Sequence, residues 1–372
     1  MKIAIIGPVL PLRSGIARHT TALARELAGR NGITVSIISF ARQYPRFLYP
    51  GADDTLRDAR LPHDLDASRE LDSINPLTWR RVIARVLSDR PDLVVIPAWT
   101  FFLAPCLGFI ARSLRRQGVP VAMIVHNAED HEAAAWKRAF SRFQLRQAGF
   151  FMTHNASVKA SLERLVPGRP VSIRPHPVFD DYPPPTGTLP RRAGLELLYF
   201  GLVRPYKGLD IALRGIARSG LEDVRFTIAG EFWSGLRETE DLVAKLDLNE
   251  KVEIVPRYVS DEVAAELFHR SDAVLLPYRS ATGSGVAALA QWYGRPVIAS
   301  NLPGLSDVVV DGETGWLFEA GNDEHLADLL REKITSLAAG ELRPNIQSSL
   351  QKYSWQSMAD ELTRNFAPAK NQ

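Results

Sequence analysis

What most constrains this sequence is an alternation that stops once and then restarts. Short β-branched runs take turns with amphipathic stretches of ten or more residues. Before the stop the apolar runs are 2–6 (KIAII), 33–38 (ITVSII), 93–97 (LVVIP), 121–125 (VAMIV) and 150–153 (FFMT), with helical periodicity over 16–29, 77–88, 103–117, 133–147 and 156–165. After it, strands are predicted at 196–200, 224–229, 252–255, 273–276 and 296–299, and helices near 207–219, 235–247, 260–270, 284–293 and 323–336. Strands that are apolar throughout need cover on both faces, and crossover helices supply it. The pattern therefore predicts an α/β protein of two doubly wound, Rossmann-like domains. Open parallel sheets bind ligands beyond the carboxyl ends of their strands, so the expected site is a cleft where two such edges face each other.

The interruption is 181–194, DYPPPTGTLPRRAG, whose four prolines and few residues to bury read as a linker. The expected division is 1–180, the linker 181–194, then 195–352, with 353–372 as a terminal piece. A length of 372 residues agrees, because one core rarely grows beyond about 250–300. Cys106 is the single cysteine, so no intrachain disulfide and no cysteine-built zinc site can form. The N-terminal MKIAIIGPVLPL reads as a buried strand rather than a signal peptide. Residues 93–111 carry no charge over nineteen positions, a length that suffices for a membrane span. Pro97, Pro105 and Gly108 interrupt them, however, and a strand, a turn and a buried helix fit better. A cytoplasmic protein is expected.

The net charge of +3 is unevenly spread: residues 1–185 hold 25 Lys and Arg against 16 Asp and Glu, and the remainder 20 against 26. A basic first half suits an anionic partner or is a solvated face. No nucleic-acid-binding motif accompanies it, so no nucleic-acid partner is expected.

Three stretches carry chemistry. The first strand ends in IIGPVLPLRSGIARH, which is not G-x-G-x-x-G, so a nicotinamide-dependent oxidoreductase loses its main support. Gly15 still stands at a helix entrance, behind Ser14 as cap, where free N–H groups favour an anion. In LLYFGLVRPYKGLDIAL, Gly201 lets the chain leave its strand, and Arg204 and Lys207 place two cations at the sheet edge. That pair suits a diphosphate gaining charge as a bond breaks. Thr282-Gly283-Ser284-Gly285-Val286 precedes another helix and offers a second bare N-terminus. Asp64 and Asp66 look like a metal-binding D-x-D but fall in a polar loop. His126 and His131 are five apart, which fits neither helical nor zinc-finger ligand spacing, so no metal is expected. Trp136, Lys137, Arg138, Phe140, Arg142, Phe143 and Arg146 make a basic-aromatic helix that packs in the core or rests on anionic lipid.

Together, GIARHTTALARELA, VHN, YFGLVRPYKGLD, AGE, LPY and GRPVIASNLPGLSDVVVDGETGWLF resemble the family-4 (group 1) retaining glycosyltransferases of the GT-B fold, from about residue 2 to 366. The closing YSWQSMADELTRNF is similar to the helix that crosses back to the first domain in that fold. The resemblance implies a nucleotide-sugar donor held by the second domain and an acceptor held by the first, with no cofactor. It implies hexose transfer from a nucleotide diphosphate sugar to a hydroxyl, in cell-surface polysaccharide or glycolipid synthesis. Peripheral contact with an anionic membrane at its inner face stays open.

By the same resemblance, Arg204 and Lys207 neutralise the leaving diphosphate, aided by amides near Gly15 and at Ser284, Gly285 and Val286. Gly201 belongs to the same donor site. His126 lies beside the donor sugar. Glu231 and the chain at Arg257, Tyr258 and Val259 lie near base and ribose. Two departures stand out. Where the family carries two glutamates eight positions apart this chain has Ala281 and Leu289, which implies a variant site relying on Ser284 and neighbouring amides. The family's arginine position holds Leu202, with Arg204 as its substitute. The alternative is a non-catalytic GT-B protein that binds a ligand.

Overall fold

The computed structural model describes residues 1–45, 55, 61–128, 135–178, 181–350 and 354–366. The chain divides into two compact units, Met1–Pro177 with Ser354–Gln372, and Val178–Tyr353.

In the first unit β1 (Lys2–Ile6), α1 (Gly15–Ala28), β2 (Thr34–Arg42), β3 (Ala67–Asp72), α2 (Pro76–Asp89), β4 (Leu93–Ala98), α3 (Ala104–Arg116), β5 (Val121–Val125), α4 (Ala135–Leu145), β6 (Phe150–Thr153), α5 (Ala156–Leu165) and β7 (Val171–Ile173) follow in order. The strands form one parallel sheet, β3-β2-β1-β4-β5-β6-β7. Its middle strands are the apolar runs seen in the sequence; β4 and β5 are buried along their whole length. The two outermost strands were not legible as strands. β3, ASRELD, is mostly polar because an edge strand has one neighbour and an open face.

The uncharged stretch from residue 93 resolves into β4, a 3-10 turn at Phe101–Leu103 and α3. Gly108 lets α3 approach α4: a Cβ there would lie 2.7 Å from the Phe143 ring. Among the described residues no helix is long and apolar enough to cross a membrane.

The second unit runs β8 (Leu195–Phe200), α6 (Leu209–Ser219), β9 (Val224–Ala229), α7 (Leu236–Lys245), β10 (Val252–Val255), α8 (Asp261–Arg270), β11 (Ala273–Leu276), α9 (Gly285–Trp292), β12 (Val297–Ser300), α10 (Pro303–Ser306), β13 (Gly315–Phe318), α11 (Asp323–Ala339) and α12 (Arg343–Ser349). Its parallel sheet has the order β10-β9-β8-β11-β12-β13. β13 is the strand the pattern did not announce. Gly315 opens it because a Cβ would meet the Val297 carbonyl oxygen at 2.0 Å.

Residues 181–194, marked by their prolines as a linker, belong to this unit and are bound to it. Prolines leave few N–H groups, and one carboxylate collects four consecutive ones. Glu266 accepts from the amides of Thr186 (2.5 Å), Gly187 (3.2 Å), Thr188 (2.8 Å) and Leu189 (3.4 Å). Arg191 grips the buried Asp272 with two nitrogens at 2.8 Å. The last helix, α13 (Trp355–Phe366), belongs to the first unit. It buries Trp355, Met358, Ala359 and Leu362, Asp360 accepts from Arg30 at 2.5 Å, and Glu361 pairs with Arg174.

Candidate functional site

In the second unit the chain leaves β8 at Gly201, where φ is +96°, a left-handed conformation that favours glycine. A Cβ on Gly201 would lie 3.8 Å from Lys207 Nζ and 3.5 Å from the Val286 side chain, so these three residues converge. The next loop is as tight: a Cβ on Gly230, at the end of β9, would meet the Gly201 carbonyl oxygen at 1.9 Å. The Glu231 carbonyl then accepts from the Val203 amide at 2.9 Å, which ties the two loops together.

Lys207 closes a 3-10 turn, Pro205–Lys207, and is pinned by Gly208 behind it. Gly208 has φ +63°, and a Cβ would come within 2.0 Å of the Pro277 carbonyl oxygen. The ammonium stands 5.3 Å from the centre of the Tyr278 ring. Burial lowers the Lys207 pKa below the ordinary lysine value, and the charge of Arg204 lowers it further. The Arg204 guanidinium lies on the Trp233 ring at 4.0 Å. Neither cation has an ion pair among the described residues. Arg279, by contrast, is neutralised by two contacts of 2.7 and 2.8 Å with Asp210. Two unneutralised cations at one strand end suit an anion.

Ser284 is the N-cap of α9: its hydroxyl accepts from the Ala287 amide at 3.3 Å and shares a hydrogen bond with the Tyr278 phenol, which burial pushes up to about 12. That hydroxyl is engaged locally, so what the helix entrance offers an anion is the amides of Gly285 and Val286. The loop before it rests directly on α10, for a Cβ on Gly304 would lie 2.7 Å from the Ala281 carbonyl oxygen. Leu289 is buried in the core cluster that also holds Ala290, Val297 and Leu305, and Ala281 packs on the same cluster. Both side chains, at positions where the resemblance leads one to expect glutamates, thus serve packing here.

The remaining sequence candidates are more scattered. Arg257 and Tyr258 follow β10 and are exposed, while Val259 turns into the core. Tyr278 and Trp233, which frame the two cations, were not singled out beforehand. The available signal was an aromatic immediately beyond a strand end, in LPY and AGEFW.

In the first unit Gly15 begins α1, with Ser14 Oγ accepting from the Ala17 amide at 3.0 Å, and nothing lies within 4 Å of its missing Cβ. His126 follows β5, anchored by its amide to the Ala98 carbonyl at 2.9 Å. Its Nδ1 lies 3.2 Å from His154 Nε2, and its ring meets His19 edge-on at 4.5 Å. Burial, reinforced by the neighbouring rings, holds His126 and His19 well below the usual histidine range and His154 at about 3. His126 is therefore neutral at physiological pH and can orient a polar group without carrying charge. Asp64 and Asp66 lie in a turn preceding the edge strand β3; His131 and its acidic neighbours Glu129, Asp130 and Glu132 lie outside the described residues.

Residues 191–348 match the family described as glycosyl transferases group 1, and residues 14–178 match the glycosyl transferase 4-like domain. A D-inositol 3-phosphate glycosyltransferase from Rhodococcus opacus is 30% identical over 180 residues, which cover 46% of this chain and 40% of that protein. The enzyme of that name from Streptosporangium roseum is 26% identical over 304 residues, 72% of this chain and 68% of the relative. The match thus spans less than half of the first relative and about two thirds of the second. Among solved structures, sucrose-phosphate synthase from Thermosynechococcus elongatus superimposes with a TM-score of 0.78 at 18% identity, covering 98% of both chains. Anabaena HepE in complex with UDP-glucose does so with 0.75 at 15% identity, covering 99% of both. At such identities these likenesses establish a shared fold of two parallel-sheet, Rossmann-like domains.

Proposed function

The chain belongs to the group 1 glycosyltransferases, and we propose that it moves a hexose from a nucleotide diphosphate sugar to a hydroxyl with retention of anomeric configuration. The observation that carries this reading is the corner where Gly201, Lys207 and Val286 meet, with Arg204 held on Trp233 beside it. Lys207 and Arg204 meet the charge that develops on the departing diphosphate, and the amides of Gly285 and Val286 take further oxygens. The glycosidic C–O bond to the diphosphate breaks while the acceptor oxygen bonds to the same face of the anomeric carbon. The acceptor's proton passes to the leaving phosphate. Neutral His126 orients a donor-sugar hydroxyl. No metal enters this scheme, because the charge balance is supplied by side chains and amides. Sugar complexes such as that of HepE with UDP-glucose favour a uridine donor.

The acceptor in this proposal is a carbohydrate or a lipid-linked sugar, handled at the inner face of an anionic membrane. Support comes from α4 and its neighbour α3. Arg112, Arg138, Arg142 and Arg146 line one groove of about 660 Å³, without any ion pair among the described residues, and Trp136 and Phe140 are exposed beside it. Guanidinium groups with adjacent exposed aromatics suit phosphate headgroups and the acyl boundary.

A second reading, a ligand-binding protein without catalysis, is favoured by the apolar Ala281 and Leu289. A panel of nucleotide sugars, scored both for thermal stabilisation and for released nucleotide diphosphate, separates the two. Stabilisation accompanied by release upholds the transferase. Stabilisation without release under any acceptor supports the binder, and the absence of both defeats the donor site itself.

A further inference from the structure

Four histidines stand in mutual contact at the carboxyl edge of the first sheet, each from a different piece of chain. His19 comes from α1, His126 and His154 from the ends of β5 and β6, and His176 from the segment after β7. Ring centres are 4.5 Å apart for His19–His126, 5.0 Å for His19–His154 and 4.9 Å for both His126–His154 and His154–His176. Buried polar atoms ordinarily find partners. Here Nε2 of His19 and Nε2 of His126 are buried with no hydrogen-bond partner, although His19 is 1% exposed. Among the described residues no carboxylate acts on His19, His126 or His154, so these nitrogens are not engaged as acid–base pairs.

We propose that His19, His126 and His154 form a binding site for a divalent transition ion of the zinc or cobalt type. One nitrogen from each of the three lies within 4.8 Å of the others. His154 already has the orientation of a metal-bound histidine. Its Nδ1 lies 3.0 Å from the Arg174 carbonyl oxygen. A carbonyl only accepts, so the proton of the neutral ring sits on Nδ1 and Nε2 is left bare. That Nε2 lies 3.2 Å from His126 Nδ1 and accepts its proton in a hydrogen bond; binding an ion moves the His126 proton to the partnerless Nε2 of the same ring. Two nitrogens bound at about 2.0–2.1 Å to one tetrahedral ion stand roughly 3.4 Å apart, so this pair has the required spacing and His19 needs an ångström or so of approach.

The donor set also selects the ion. Three imidazoles without an oxygen ligand suit zinc, cobalt, nickel or copper and exclude a magnesium or calcium preference. His126 is the most exposed of the three and gives access from the sheet edge. The fourth coordination position is left to water or an anion. Because the proposed transferase scheme assigns His126 to the donor sugar, ion and donor compete for it. Only this consequence rests on that scheme.

The test is a cobalt titration of the full chain after chelator treatment, followed by visible d–d absorption. We expect a band that saturates at one equivalent and is bleached by zinc. His19→Gln and His154→Gln should each weaken cobalt by at least the roughly 10–100-fold that loss of a mere outer-shell partner costs. No saturable band at millimolar cobalt overturns the site, and so does equal affinity in the wild type and both variants. Should one variant fail to fold by circular dichroism, the wild-type titration and the other variant decide.

Discussion

Replacing Lys207 with alanine isolates the proposed chemistry from the fold. The ammonium is partly buried, stands 5.3 Å from the Tyr278 ring centre and 3.8 Å from where a Gly201 Cβ would be, and has no ion pair among the described residues. A lost hydrogen bond to a charged group costs about 1.5–3 kcal/mol, and a lost donor aimed at developing charge about 2.7–4 kcal/mol. Taking about 3 kcal/mol, kcat should fall on the order of a hundredfold. The fold should not suffer, because an unpaired cation held away from water is itself unfavourable. We therefore expect a melting temperature unchanged or slightly raised. The assay is released nucleotide diphosphate at saturating donor, with melting followed in parallel. Near wild-type kcat would refute the reasoning, and so would an activity loss that merely tracks lost stability. The pH profile supplies a second readout. A depressed lysine pKa means the cation is lost at lower pH than usual, so the alkaline limb of kcat/KM, which reports the free enzyme, should fall below 10.5. Arg204→Gln removes one of the causes of that depression and should move the limb upward.

Gly208→Ala should destabilise by about 3 kcal/mol or more, read by denaturant melts, since it adds left-handed strain to a 2.0 Å clash with the Pro277 carbonyl. Glu266→Gln should lower the melting temperature by freeing the 186–189 strap. Backbone amides hold the Glu266 carboxyl at about 2, below the ordinary 4.5. Its stabilisation is therefore complete above about pH 5 and lost as pH falls toward 2, which acid titration of the wild type against the variant measures. Arg138→Gln with Arg142→Gln should reduce flotation on anionic vesicles and leave soluble-acceptor turnover unchanged. Equal flotation on neutral vesicles would argue against headgroup recognition.

Much of the fold was legible because it is local. β1, β4, β5 and β9 announce themselves as apolar runs of strand length, and Ser14 and Ser284 stand where helix caps belong. The edge strands β3, β7 and β13 did not, since a strand with one neighbour or only three or four residues has little periodicity to display. The strap at 181–194 was hidden for a related reason. Prolines signal that a segment makes no ladder, but say nothing about Glu266 waiting eighty residues later to bind its amides. Lys207 could be named from its text, whereas the pairing of Trp233 with Arg204 and of Tyr278 with Lys207 could not.

The amino-acid sequence alone determined the types of the inner elements, the helix entrances and the glycine turns, because each depends on side-chain periodicity or backbone sterics over a few residues. The tertiary structure alone decided which side chains meet. Gly201, Lys207 and Val286 converge because β8 and β11 are neighbours in a parallel sheet, so the loops that follow them emerge at one edge. His19, His126 and His154 converge because α1 packs over the same edge at which β5 and β6 end. Such encounters between residues far apart in the chain are fixed by strand order and helix packing, which no local pattern encodes.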